Sequence, residues 1–178
     1  MEDYITYLIN FGTNLPAIQD FFLLACGLAG IILVFASIVH QARAGRRGDS
    51  PLPATIAGLF VGSFMLSLTT IVDVIAVTFL GTNADTRVVT SYAPVSGDNV
   101  KVALQVIVLF VNLIGWFAAA KGLWRWRVGN KYDQPGWFGS GAVFLLAGAG
   151  CTNLYVIADM IAVSVGAQPV GTEYFKFN

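Results

Sequence analysis

Apolar residues run along this chain in four long blocks, at about residues 18–40, 54–80, 102–124 and 138–165, with three polar segments between them. Each block is long enough to cross a hydrocarbon core, which needs roughly 20 helical residues. Lipid offers no partner to backbone N–H and C=O groups, so each block is predicted to be a helix. The strict alternation of a membrane barrel strand is absent. The separating segments, HQARAGRRGDSPLP, GTNADTRVVTSYAPVSGDNVK and RWRVGNKYDQPGW, carry the Gly, Pro, Asn and Asp that turns require. The pattern therefore predicts an all-α membrane protein with four transmembrane helices arranged as two tandem helical hairpins. The expected units are an outer-face interfacial segment over 1–17, a first hairpin over 18–81, an outer-face loop over 82–101, a second hairpin over 102–166 and an outer-face tail over 167–178.

Composition agrees with the pattern. Of 178 residues, 56% are hydrophobic and 11% charged, and the mean hydropathy is +0.71, far from the usage of a water-soluble domain. Ten basic residues balance ten acidic ones, so overall charge gives no support to nucleic-acid binding, sequence-specific or otherwise. Position along the chain matters more. Arg43, Arg46, Arg47, Lys121, Arg125, Arg127 and Lys131 cluster at the first and third loops, leaving Arg87, Lys101 and Lys176 elsewhere. The positive-inside rule then puts those two loops in the cytoplasm and both termini outside it. Trp124, Trp126 and Trp137 flank the third loop, where aromatic rings anchor at headgroup level. Ala42-Arg43-Ala44 has the form of a cleavage site, but the acidic N-terminus and the long apolar run before it argue against a signal peptide.

An internal repeat sharpens this reading. Laying residues 62–79 over 148–165 matches seven of eighteen positions, Asp73 over Asp159 among them. Leu28 and Gly30 likewise fall over Leu113 and Gly115. Two tandem hairpins related by an axis along the membrane normal account for both matches. In a straight helix over 54–80, Asp73 lies six residues beyond the midpoint, about 9 Å toward the outer face. An acid there costs of order 3 kcal/mol on insertion scales, so it should face protein, water or a cation.

Ser63, Ser67, Thr70 and Asp73 share helical spacing, as do Thr152, Tyr155 and Asp159, and both sets predict one-sided contacts. Gly58 and Gly62 form a G-x-x-x-G, and Gly148 sits among the small residues of the last block. Such faces let helices approach closely, within one bundle or between subunits. These ten residues are the expected helix or subunit interface. Arg43, Arg46, Arg47, Lys121, Arg125 and Arg127 have two readings: topology alone, or capture of anionic phospholipid headgroups.

Catalytic material is scarce. The single histidine, His40, rules out His-rich metal sites and the usual His-based triads, and no Walker A, dinucleotide or nucleophile-elbow motif occurs. Cys26 and Cys151 lie in apolar runs and read as packing residues. No cofactor is expected beyond phospholipid. Neither acid-bearing helix has a proline near its Asp, which predicts continuous helices and weakens a transporter reading.

The order TNLPAIQDFF, TFLGTN, LIGWFAAAKGL and NLYVIADMI resembles the IcmC (DotE) family of the Dot/Icm type IVB secretion apparatus and its TraQ-type conjugal transfer relatives, over roughly residues 13–166. That resemblance implies a multi-pass bacterial inner-membrane subunit of a secretion or conjugation machine, without catalysis, whose partners are other membrane subunits of the apparatus. The plan of two apolar helices joined by a short basic loop is also similar to pilins of type IVA conjugation systems. Three readings follow: a subunit that polymerises with itself into an extracellular pilus with bound phospholipid, a static inner-membrane scaffold, or a small ion or proton channel.

Overall fold

The computed structural model describes residues 2–47, 52–81, 99–131 and 135–166. The expected outer tail over 167–178, most of the loop over 82–101, and the side chains of Arg87, Lys101, Lys131 and Lys176 lie outside the described residues.

All described secondary structure is helical: α1 (Glu2–Gly45), α2 (Leu52–Leu66), α3 (Leu68–Leu80), α4 (Asn99–Lys131), α5 (Trp137–Thr152) and α6 (Leu154–Ser164). Two helices, α1 and α4, are each long and apolar enough to cross a membrane. The bent pairs α2–α3 and α5–α6 bring the number to four if each pair is one span. The helices hold their backbone bonds internally, as an apolar solvent demands.

Residues 2–17, expected as an outer-face interfacial segment, are helical and continuous with the rest of α1. The helix runs through Pro16 without a break. Pro16 removes one N–H donor, and Thr13 and Asn14 bond the carbonyls of Ile9 and Asn10, at 2.9 and 2.8 Å, in the turns just before it. At 44 residues α1 is about 66 Å long, well over the ~30 Å of a hydrocarbon core.

Glycines set the pairing. A Cβ on Gly30 would sit 2.7 Å from the carbonyl oxygen of Gly62, and one on Gly62 would sit 2.9 Å from that of Gly30. Further along, Val34 meets Gly62, Ser37 meets Gly58, and Thr55 donates to Gln41 Oε1 at 2.8 Å. Rising numbers on α1 meet falling numbers on α2, so the pair is antiparallel.

The second half repeats three of these four contacts. Gly115 and Gly148 would each place a Cβ 2.8 Å from the other's carbonyl oxygen. Ala119 meets Gly148 where Val34 meets Gly62, and Trp126 meets Gly141 where Gln41 meets Thr55. The offsets are the 85 and 86 residues of the sequence repeat. The repeat is therefore one of tertiary contacts as well as of letters.

The two halves meet along α1 and α4, which run parallel. Phe11 lies 6.2 Å from Phe110 and Phe22 lies 4.1 Å from Phe117, centroid to centroid. Leu15 packs with Val106, Leu109 and Leu113 in one cluster. A larger core joins Cys26, Leu33, Val61, Met65, Leu68 and Val72 to Trp116, Leu123, Leu145 and Ala149. Trp116 is fully buried at its centre. Large apolar side chains such as Phe21, Ile32, Phe35, Phe60 and Phe138 remain exposed around it, an exterior suited to lipid.

Substituting Gly115 or Gly148 by Ala should lower the unfolding midpoint in detergent, by the equivalent of about 1–3 kcal/mol, because backbone faces the new methyl. Gly27, with open space where its Cβ would be, is the control: Gly27→Ala should leave the midpoint unchanged or slightly raised.

Candidate functional site

Both acid-bearing helices are broken, contrary to the expectation from their lack of proline. The chain turns by 84° between α2 and α3 and by 73° between α5 and α6. The break residues are Ser67 and Asn153, equivalent positions of the repeat. Their backbones match too, with φ −105°, ψ 33° at Ser67 and φ −111°, ψ 31° at Asn153. Each ends one helix and opens the next: Ile71 N–H donates to the Ser67 carbonyl at 3.0 Å, and Val156 and Ile157 N–H donate to that of Asn153 at 3.0 and 3.2 Å. Neither side chain caps the helix that follows, so the breaks are held by these backbone bonds and by packing.

The breaks change the depth argument. With 15 residues, α2 rises about 22 Å, and α3, turned nearly at right angles, adds little along that direction. Asp73 and Asp159 each follow their break by six residues, so they are displaced sideways by about 9 Å rather than along the span. The polar sets also straddle the breaks and are not single-helix stripes. Ser63 is in α2, Ser67 at the turn, and Thr70 and Asp73 in α3; the first three are exposed and Asp73 is half-buried. Thr152 ends α5 and is buried, while Tyr155 and Asp159, in α6, are half-buried. Asp73 and Asp159 fall on elements with different neighbours, since α3 packs on α5 and α6 on α4.

Around the second break lies a buried polar network that sequence reasoning missed. Asn112 of α4 donates from Nδ2 to the Thr152 carbonyl at 3.0 Å, and its Oδ1 accepts from Trp116 Nε1 at 3.1 Å. Asn153 Nδ2 donates to the Ala149 carbonyl at 2.9 Å and to Thr152 Oγ1 at 3.2 Å. Asn153 is fully buried, and its Oδ1 accepts no bond among the described residues. A helix end in an apolar interior exposes carbonyls that need donors, and α4 supplies one across the interface. Among the described residues the first break shows no equivalent of this, and Gly27 and Ile31 stand where the second half has Asn112 and Trp116. A signal was available in SFMLSLTT and CTNLYV, where small polar residues align in otherwise apolar runs.

The remaining expected positions divide clearly. Gly58, Gly62 and Gly148 are occupied in close contacts within the antiparallel pairs. Arg43, Arg46, Arg47, Lys121 and Arg125 are exposed, and Arg127 alone of the six is half-buried. Lys121 Nζ lies 4.7 Å from the centre of the Phe144 ring. Near the third loop, Trp126 stacks on Phe138 with centroids 5.3 Å apart and donates to its carbonyl at 3.0 Å. Among the described residues no group of three or more His, Cys, Asp or Glu could hold a metal ion. Cys26 and Cys151 are free thiols.

No protein-family model, curated protein sequence or solved structure matches the chain.

Asn112→Leu leaves both the Thr152 carbonyl and the Trp116 indole without a partner and should cost about 1–3 kcal/mol of stability in detergent. Ser67→Ala, at the exposed break, should stay within about 0.5 kcal/mol. Equal effects at the two sites would refute the asymmetry between the breaks.

Proposed function

We propose that the chain is a non-enzymatic, multi-pass membrane subunit of a bacterial type IVB secretion or conjugation apparatus, built as two tandem membrane hairpins. In this reading both termini are periplasmic and the basic loops cytoplasmic. The observation that supports it most is the duplicated glycine contact, Gly30 on Gly62 and Gly115 on Gly148. It makes each half a tightly closed helix pair with an apolar exterior, the form a subunit needs to pack beside copies of itself in lipid. The subunit polymerises in the pilus and holds phospholipid there. The scaffold alternative keeps the same spans and never leaves the inner membrane.

A specific observation favours a second reading, conduction of ions or protons. Interrupted apolar segments at corresponding positions of two halves are the usual mark of a midplane site in repeat-built transporters. Here the interruptions at Ser67 and Asn153 are each followed by an acid.

Mass spectrometry of purified pili decides between polymer and scaffold: the chain should be a major component, and its confinement to the membrane fraction while deletion abolishes transfer would select the scaffold. Cysteines placed at residues 4 and 46 should label from opposite sides of the inner membrane, periplasmic and cytoplasmic respectively; labelling from one side would remove the span assignment. Purified protein in liposomes should pass no current, whereas a current altered by Asp73→Asn would establish the channel.

A further inference from the structure

Arg127 differs from the other described basic residues at the two loops in its burial. It is half-buried and lies at the edge of a groove of about 390 Å³ between α1 and α2. His40, from the end of α1, lines the same groove. Two groups able to donate to an anion are thus brought together from opposite halves of the molecule. Ser37 and Thr55 also line it, but their hydroxyl protons are already given to the Leu33 carbonyl and to Gln41. Arg127 and His40 are therefore the groove's charged or chargeable donors.

The groove has a direction. His40 and Ala54 lie at the end nearest the basic loop, and Ala36, Ala57 and Gly58 lie about one helical turn deeper. With His40 at the end nearest the basic loop, Arg127 in the lining and small apolar residues a turn deeper, it has the order of a phospholipid: phosphate first, acyl chain beneath. Its volume is in the range of small-ligand sites. Arg127 lies 5.9 Å from the Trp124 ring, and a guanidinium held over an indole is pre-set for forked bonding to phosphate. Exposed Arg43, Arg46 and Arg47 have no such enclosure.

We infer that this groove binds one anionic phospholipid, with its phosphate on Arg127 and His40 and one acyl chain along Ala36, Ala57 and Gly58. The inference rests on the membrane placement proposed above and not on a role in secretion.

Native mass spectrometry of the detergent-purified full chain, exchanged against phosphatidylglycerol or phosphatidylcholine, tests it. A single phosphatidylglycerol adduct should persist at activation energies that strip phosphatidylcholine. Arg127→Ala should weaken its retention about tenfold, the loss of one charge-assisted contact. Ala57→Leu should weaken it too by filling the apolar end while leaving both donors in place, and Arg43→Ala should not. Unchanged circular dichroism and elution volume establish that each variant is folded. Equal retention by Arg127→Ala and Arg43→Ala would overturn the proposal, as generic lipid adhesion. So would displacement of the adduct by inorganic phosphate alone, which would mark a site for soluble anions. These readings are made in detergent, so they stand or fall separately from the labelling that tests the span assignment.

Discussion

Backbone touching backbone is the constraint on which this structure rests. At Gly30–Gly62 and again at Gly115–Gly148 the helices come so close that a methyl group would meet a carbonyl oxygen under 3 Å away. In an apolar solvent, burying leucine against leucine gains little, since lipid tails are equally apolar. Dispersion contact between closely packed chains is what remains, and glycine maximises it. Once each pair is closed, the rest has little freedom. Trp116 follows Gly115 directly and fills the centre of the core, and the α1–α4 contact joins the closed pairs.

A helix that ends inside such a molecule creates a second problem, the freed backbone groups. The two halves solve it differently. At the second break, Asn112, Thr152 and Asn153 satisfy the turn from within, and the site is sealed. At the first, Ser67 stays exposed and the surroundings must do the same work. The duplication is thus close in how the helices pair and unequal in how their ends are finished. One break is held by buried side chains of its own chain, and at the other the break residue itself is exposed. The two acids, Asp73 and Asp159, are both half-buried and lie on helices with different neighbours.

Charge follows the same division between repetition and placement. The basic residues gather at two loops by count alone, and five of the six arginines and lysines singled out there are exposed. The approach of α4 to the first pair places Arg127 in the lining of a groove that His40 also lines. A cation set by topology and a cation set in a groove look alike in a list of residues. They differ in how far packing buries them.

Much of the fold was legible in the order of the residues. Long apolar blocks required helices, since no other local structure pairs its own backbone in lipid. The internal repeat, with Gly30 over Gly115 and Gly62 over Gly148, already contained the pairing of each half. Asp73 over Asp159 marked the segments that carry the breaks. The aligned small polar residues of SFMLSLTT and CTNLYV hinted at the breaks without deciding them, because a single Ser or Asn within an apolar run is compatible with a continuous helix; neighbouring helices decide whether the turn's freed carbonyls find donors. Asn112 lies 40 residues from Thr152, and Arg127 comes from the opposite half to the groove it edges. Such contacts depend on distances that no local pattern encodes. The residues fixed which segments are helical and which surfaces can touch; only the assembled structure decided where those helices stop and which charges they enclose.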